Sequence, residues 1–473
     1  MIRLTWVQPE DLVGHELRQA AEDGRVGLDA IAARWRAAGG HDAPPQAGAS
    51  PGPTDPTLRA LATELLDELE SLPRTAAHPV SGNGSGSTTA APDPVAGVAG
   101  RRPDAVAEPY EWAEIVAACP AWPAARPVAA DVDRLRGAWL GRAAGCLLGK
   151  PVEKIPRAGI REIAEATGNW PVRTWFTARG LPAEVAGRWP WNRRSAPTSL
   201  AENIDGMPED DDLNYPMLAL LLVERHGHDF GTEDVARLWL DELPAGRTFT
   251  AERVAYRNLL CGLEPPRTAS FRNPFREWIG AQIRADLYGW VCPGDPGLAA
   301  RLAYVDARLT HVGNGVYGAM FVAAACAVAV TGAGVDAALA AGLAVVPPDS
   351  RLATAVRCGM DLAAREPDWE RVLDGLHAAY GHLHWVHAVN NAALVAAALT
   401  HGGGDFGRSV AAAVTGGWDT DSDAATVGSI VGASGPVPPQ WTDPLRDRIA
   451  SSVTGFDGIG FGALAARTAA VGA

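Results

Sequence analysis

Four glycines, Gly137, Gly141, Gly145 and Gly149, recur at a spacing of four in the stretch that begins at Asp131. That spacing sets them on one face of a helix. Each glycine costs a helix stability relative to alanine, so the face is expected to lie against another backbone at close range. Neither the phosphate-loop nor the dinucleotide-binding glycine spacing is present. Lys150-Pro151-Val152-Glu153 ends the helix and presents one carboxylate. From residue 213 onward, Ala-rich helical stretches alternate with short turns and no strand alternation appears. The expected fold is therefore all-α, a compact multi-helix domain over residues 129–473.

Two acidic knots stand out. Gly416-Gly417-Trp418-Asp419-Thr420-Asp421-Ser422-Asp423 sets three carboxylates within five residues, ahead of a small-residue run with Gly428 and Gly432 four apart. Glu209-Asp210-Asp211-Asp212 precedes an apolar stretch, Leu213 to Val223, that reads as a buried helix with Pro216 in its first turn. Acids favour the positive end of a helix, and Thr420 or Ser422 is a ready cap. That accounts for one or two acids; three together repel unless a positive charge sits among them. Oxygen-only ligands suit a hard cation such as Mg²⁺, Ca²⁺ or Mn²⁺. Two knots facing each other would hold one or two such ions, an arrangement that recurs in hydrolases.

The chain has 473 residues, of which 47% are hydrophobic and 20% charged, which makes it globular rather than disordered. A net charge of −14 without a strong basic run argues against nucleic acid and an anionic membrane as partners. Six cysteines without CxxC or metal-ligand spacing read as reduced core residues of a cytoplasmic protein. Val312 to Val335 carries no charge but is Ala- and Gly-rich, and is expected to be a buried helix rather than a membrane span. Residues 1–128 read as a helical N-terminal extension, with Gly/Pro/Ser-rich linkers from about 41 to 56 and 74 to 108. Between 154 and 208 the chain looks irregular, with Trp170, Trp175, Trp189 and Trp191 interleaved with arginines. It is either a surface excursion anchored by tryptophans or a lid, in which Trp189 or Trp191 stacks on a base and Arg193 or Arg194 pairs with phosphate. His382, His384 and His387 are expected to cap a helix or line a pocket wall rather than bind a metal.

The order of these features resembles the ADP-ribosylglycohydrolase family: glycine-rich helix, Glu153, acidic knot before a helix, Gly313-Asn314-Gly315, then Gly-Gly with an Asp-Thr-Asp knot. The resemblance covers residues 131 to about 435 and implies an all-α fold, two Mg²⁺ or Mn²⁺ ions and hydrolysis at the anomeric carbon of an ADP-ribose unit. By that match Glu209, Asp210, Asp211, Asp419, Asp421 and Ser422 are metal ligands. Glu153 lies near the metals, and Gly313, Asn314 and Gly315 approach the ADP-ribose. The chain departs from the family in having Glu209 where a threonine is usual, Trp418 inserted after the glycines, and Phe321 where an arginine follows Ala-Met.

The expected activity is a metal-dependent N- or O-glycoside hydrolase acting on an ADP-ribose-like or nucleotide-like substrate, with Glu153, Asp210 and Asp211 as candidates for activating water. The alternatives are a hydrolase for a small NAD- or nucleoside-derived metabolite, and a non-catalytic binding relative. Residues 1–128 are expected to modulate access or assembly rather than to supply catalytic groups.

Overall fold

The computed structural model describes residues 4–43, 54–73 and 108–472. Of the linkers expected around residues 41–56 and 74–108, residues 44–53 and 74–107 lie outside them. Among the described residues there are 23 α-helices and no strand, only isolated bridges such as Met207 with Ile449. The all-α expectation is met.

The glycine stripe sets the centre of the fold. The Val132–Gly149 helix lies antiparallel to the Thr420–Ser434 helix, with Gly137 opposite Gly432, Gly141 opposite Gly428, Gly145 opposite Ala424 and Gly149 opposite Thr420. A Cβ on Gly141 would stand 2.0 Å from the Gly428 carbonyl oxygen, and one on Gly145 1.9 Å from that of Ala424. No side chain fits there, which is why the stripe tolerates the helix-propensity cost. The second knot, Asp419–Asp423, thereby lies at the Cys146–Lys150 end of the first helix.

The apolar stretch after Val312 forms the Gly313–Ala329 helix, buried nearly all round. Among the described residues no helix is long and apolar enough to cross a membrane. Four cysteines are buried as expected; Cys358 is half-buried and Cys261 is exposed. The 154–208 region is less irregular than its sequence suggests, carrying the helices Arg157–Ala166, Ala183–Arg188 and Ala196–Ser199.

The N-terminal piece is built into the body of the protein. Its Pro9–Glu22 helix sends Glu16 and Asp23, just past its end, to the buried Arg276, each at 2.7 Å. Gln19 donates to Glu277 at 3.1 Å, and Glu22 lies 3.3 Å from His387. Removing one partner of such buried ion pairs leaves an uncompensated charge, so the helix is tied to the domain it precedes.

Candidate active site

The first knot opens the Asp211–His226 helix. Asp210 is its N-cap and accepts from the Asp212 backbone N–H at 2.9 Å. Pro216 does not fall in the first turn, as expected, but inside the helix. Its missing N–H frees the Asp212 carbonyl four residues earlier, and the Arg142 Nε donates to that carbonyl at 2.6 Å. Arg142, fully buried on the glycine helix, also reaches Asp212 Oδ1 at 3.0 Å and Asp286 at 2.9 Å. The proline thus creates the acceptor that fixes the arginine, and the arginine fixes Asp212.

The second knot opens the Thr420–Ser434 helix, and capping does not consume its acids. Asp419 stands at the N-cap without a side-chain capping bond. Its backbone N–H donates to Asn391 at 3.1 Å, and Thr420 donates to the Gly149 carbonyl at 2.9 Å. Ser422 donates to Asp212 at 3.2 Å, directly joining knots more than 200 residues apart. Among the described residues, neither carboxylate oxygen of the fully buried Asp423 has a hydrogen-bond partner.

Between the knots lies the end of the glycine helix. Lys150 donates to Asp210, and Cys146 lies 3.8 Å from Asp212. Cys146, Asp210 and Asp212 each present a donor atom, all within 4.8 Å of one another, a group able to hold a metal ion. Burial, followed by Asp210 and Asp212, pushes the Cys146 thiol well above its ordinary range. Burial opposes the charge on Lys150, but Asp210, Cys146 and Asp421 outweigh it and keep the ammonium protonated. Burial and neighbouring carboxylates push Asp211, Asp212, Asp419 and Asp423 well above the ordinary carboxylate range, and Asp421 up to about 7. Added positive charge is what this cluster lacks, and the residues fit a divalent cation.

A cavity of about 1260 Å³ opens onto the knots. Glu153 lines it, held by Asn192 and by Lys154 at 2.9 Å. Trp189, Trp191, Arg193 and Arg194 form part of its wall, so this end of the 154–208 region borders the site. Trp170 and Trp175 do not: Trp170 sits under Arg161, and Trp175 packs edge-on to Trp441 and donates to the Gln440 carbonyl. Trp189 is itself anchored, its indole N–H donating to Glu162 at 2.6 Å.

Two groups named from the sequence lie differently from expectation. Glu209 lines the cavity, but Ser452 and Asn214 donate to its Oε1 and Arg247 pairs with its Oε2 at 2.7 Å. It is committed to the surrounding loop. Gly313, Asn314 and Gly315 do not line the cavity. Asn314 spends its side chain on Glu277, Glu108 and the Leu352 N–H, each at 2.9 Å, leaving no polar atom for a ligand. Of the three histidines, His387 caps the Ala388–Gly402 helix, as expected, while His384 stacks on Trp278 at 4.0 Å and does not line the cavity. Sequence reasoning passed over Cys146, Lys150 and Arg142. Each directly follows a glycine of the stripe, Gly145, Gly149 and Gly141, and that register was the available signal.

Glu209→Gln is expected to change Mg²⁺ or Mn²⁺ affinity by less than about tenfold, the low end for a supporting residue, whereas Asp210→Asn removes more. Calorimetry on both variants checks this; equal losses would return Glu209 to the ligand set.

The fold and site define an all-α protein with a buried carboxylate centre at the crossing of two glycine-paired helices, open to an aromatic-walled cavity. The chain belongs to the ADP-ribosylglycohydrolase family, which it matches over residues 127–469. It is 28% identical over 322 residues to an uncharacterized protein of Archaeoglobus fulgidus, covering 67% of this chain and 92% of that one. Among solved structures it resembles an ADP-ribosylglycohydrolase-related protein complex, with 22% identity, a TM-score of 0.41, and coverage of 72% of this chain and 99% of the other.

Proposed function

We propose that this protein hydrolyses the glycosidic bond at the anomeric carbon of a small ADP-ribose-like or other nucleotide-like molecule, using Mg²⁺ or Mn²⁺. The observation that carries this reading is the meeting of both knots at the floor of one cavity, joined through Ser422 and Asp212. Asp210, Asp211, Asp212, Asp419 and Asp421 would hold the cation, with Ser422 beside them. Seven carboxylates gather there, Glu153, Asp210, Asp211, Asp212, Asp419, Asp421 and Asp423, against Arg142, Lys150 and Lys154. If all are ionised, at least four negative charges remain uncompensated, which favours two divalent ions over one. A bound divalent ion supplies Lewis acidity and an acidified water.

The chain's own residues do the rest. Asp210 is held by Lys150 and by its own helix terminus, which suits it to position rather than to move protons. Glu153, held by Asn192 and Lys154 at the cavity wall, and Asp211 are the candidates for taking a proton from water. The carboxylates also stabilise the cationic charge that builds at the anomeric carbon. Asn192, which belongs to the Trp/Arg segment, holds Glu153, so closure of that segment over a substrate is felt at the base. A lid encloses a free molecule and excludes water, whereas a modified protein side chain needs an open cleft.

Turnover compared on an ADP-ribosyl-arginine protein, an ADP-ribosyl-serine peptide, O-acetyl-ADP-ribose and NAD derivatives, each with Mg²⁺ or Mn²⁺, tests this. The small molecules are expected to be preferred, and Trp191→Ala to raise KM for them about tenfold. Efficient release from intact protein, with no effect of Trp191→Ala, would show that the segment is a structural excursion.

A further inference from the structure

The segment ahead of the first helix reaches the cavity. Thr5 and Trp6 line it, although both precede the part of the chain that matches the family. Trp6 has φ of 68°, in the left-handed region that a bulky side chain adopts only under constraint. Such strain persists where surrounding structure over-determines it, and it concentrates at ligand sites.

The constraint is visible on both sides of the residue. Arg253 donates to the Thr5 carbonyl at 3.2 Å and to its hydroxyl at 3.1 Å, and Arg257 donates to the Val7 carbonyl at 3.2 Å. The indole stands edge-on to Phe275, with ring centroids 5.4 Å apart, and to Trp278 at 6.1 Å. The buried pairs of Glu16 and Asp23 with Arg276 hold the following helix in place. Trp6 is therefore a fixed part of the wall and not a fraying end. Phe249, Trp278 and Trp385 extend that wall, and Arg253 lines the cavity beside them.

We infer that the N-terminal segment completes the substrate cavity, with Trp6 as a specificity-determining face on which the planar base of a nucleotide-like substrate stacks. This rests on the nucleotide-like reading above. The chemistry is that of an aromatic platform: a flat ring that is already ordered loses little on binding, and any base offers a π-face. The carboxylate floor takes the sugar end, so a ligand lying from floor to wall presents its base to Trp6. The cavity is then built from two parts of the chain, and the extension sets what the family domain accepts.

The experiment is calorimetry on the full chain with Mn²⁺, titrating ADP-ribose, AMP and ribose 5-phosphate into the wild type, Trp6→Phe and Trp6→Leu. Trp6→Leu keeps apolar bulk without a ring, and the melting temperature and Mn²⁺ affinity report whether the variant is intact. Trp6→Leu is expected to lose about tenfold or more in affinity for ADP-ribose and AMP, with ribose 5-phosphate unchanged and Trp6→Phe close to wild type. Equal losses on all three ligands, or no loss on any, would overturn the inference, as would a Trp6→Leu chain that no longer folds while Trp6→Phe discriminates no base-bearing ligand. If the wild type binds Mn²⁺ and ribose 5-phosphate but neither base-bearing ligand, the nucleotide-like reading itself fails.

Discussion

Asp419→Ala and Asp421→Ala each lower the affinity for Mg²⁺ or Mn²⁺ by more than about a hundredfold, beyond the roughly 10–100-fold lost with a supporting residue, and they abolish turnover. The expectation follows from the site's geometry. Asp419 is not spent on capping its helix, and Asp421 lies in the same field as Asp210, Lys150 and Glu153. Unchanged affinity in both variants would mean that the knots do not share a site. The same cluster sets a pH dependence. Asp421 is pushed up to about 7, by burial first and then by Glu153 and Asp210, from an ordinary value of 3.8. In that window the folded chain holds a proton that the unfolded chain has released, so without a cation this group's contribution to stability is lost as pH rises from about 4 to about 7. A divalent ion replaces the proton and removes the repulsion. The rise in melting temperature on adding Mn²⁺ is therefore larger near pH 8 than near pH 5. Thermal melts with and without Mn²⁺ across that range check the sign, and a larger rise at the acidic end would contradict it.

Gly145→Val is expected to destabilise the protein by more than about 3 kcal/mol, at the upper end for overpacking, and to remove ion binding with it. The added Cβ would stand 1.9 Å from the Ala424 carbonyl oxygen and 2.5 Å from its carbon, both backbone atoms that cannot step aside without moving a helix. Parting the two helices carries Cys146 and Lys150 away from Asp421, so stability and affinity fall together. Gly462→Ala is the control. It lies in the Phe461–Val471 helix, where an added Cβ meets nothing within 4 Å. Replacing glycine by alanine there leaves stability unchanged or raises it by up to about 1 kcal/mol. Chemical denaturation with parallel Mn²⁺ titrations measures both variants. A Gly145→Val chain as stable as the wild type, with its ion affinity intact, would show that the close crossing is dispensable.

Local pattern was enough for several features. The four-residue recurrence of Gly137 to Gly149 required a backbone neighbour, because only close approach offsets the cost of glycine in a helix. Alternating acids at 419, 421 and 423 demanded positive charge, because carboxylates repel at any distance the chain allows them. The all-helical class followed from periodicity, and the ordered series of motifs led to the family.

What the sequence left open depends on contacts between distant residues. Nothing in the spacing of Gly145 and Gly149 says that their partners are Ala424 and Thr420, so Cys146 and Lys150 read as a core residue and a helix end. Glu209 and Asp210 are neighbours of the same charge; only the approach of Ser452 and Arg247 to one, and of Lys150 to the other, separates their roles. Asn314 turned inward because Glu277 and Glu108 converge on it. Pro216 looked like a helix start, yet it lies inside the helix because Arg142, from another segment, donates to the freed carbonyl of Asp212. The N-terminal extension read as a separate piece because its own composition favours local helices, while the buried side chains that tie it down, Arg276 and His387, lie some 250 residues or more further along. Periodicity is a property of neighbours along the chain; which acids meet, and which tryptophans line the cavity, is decided by packing between segments that the sequence lists far apart.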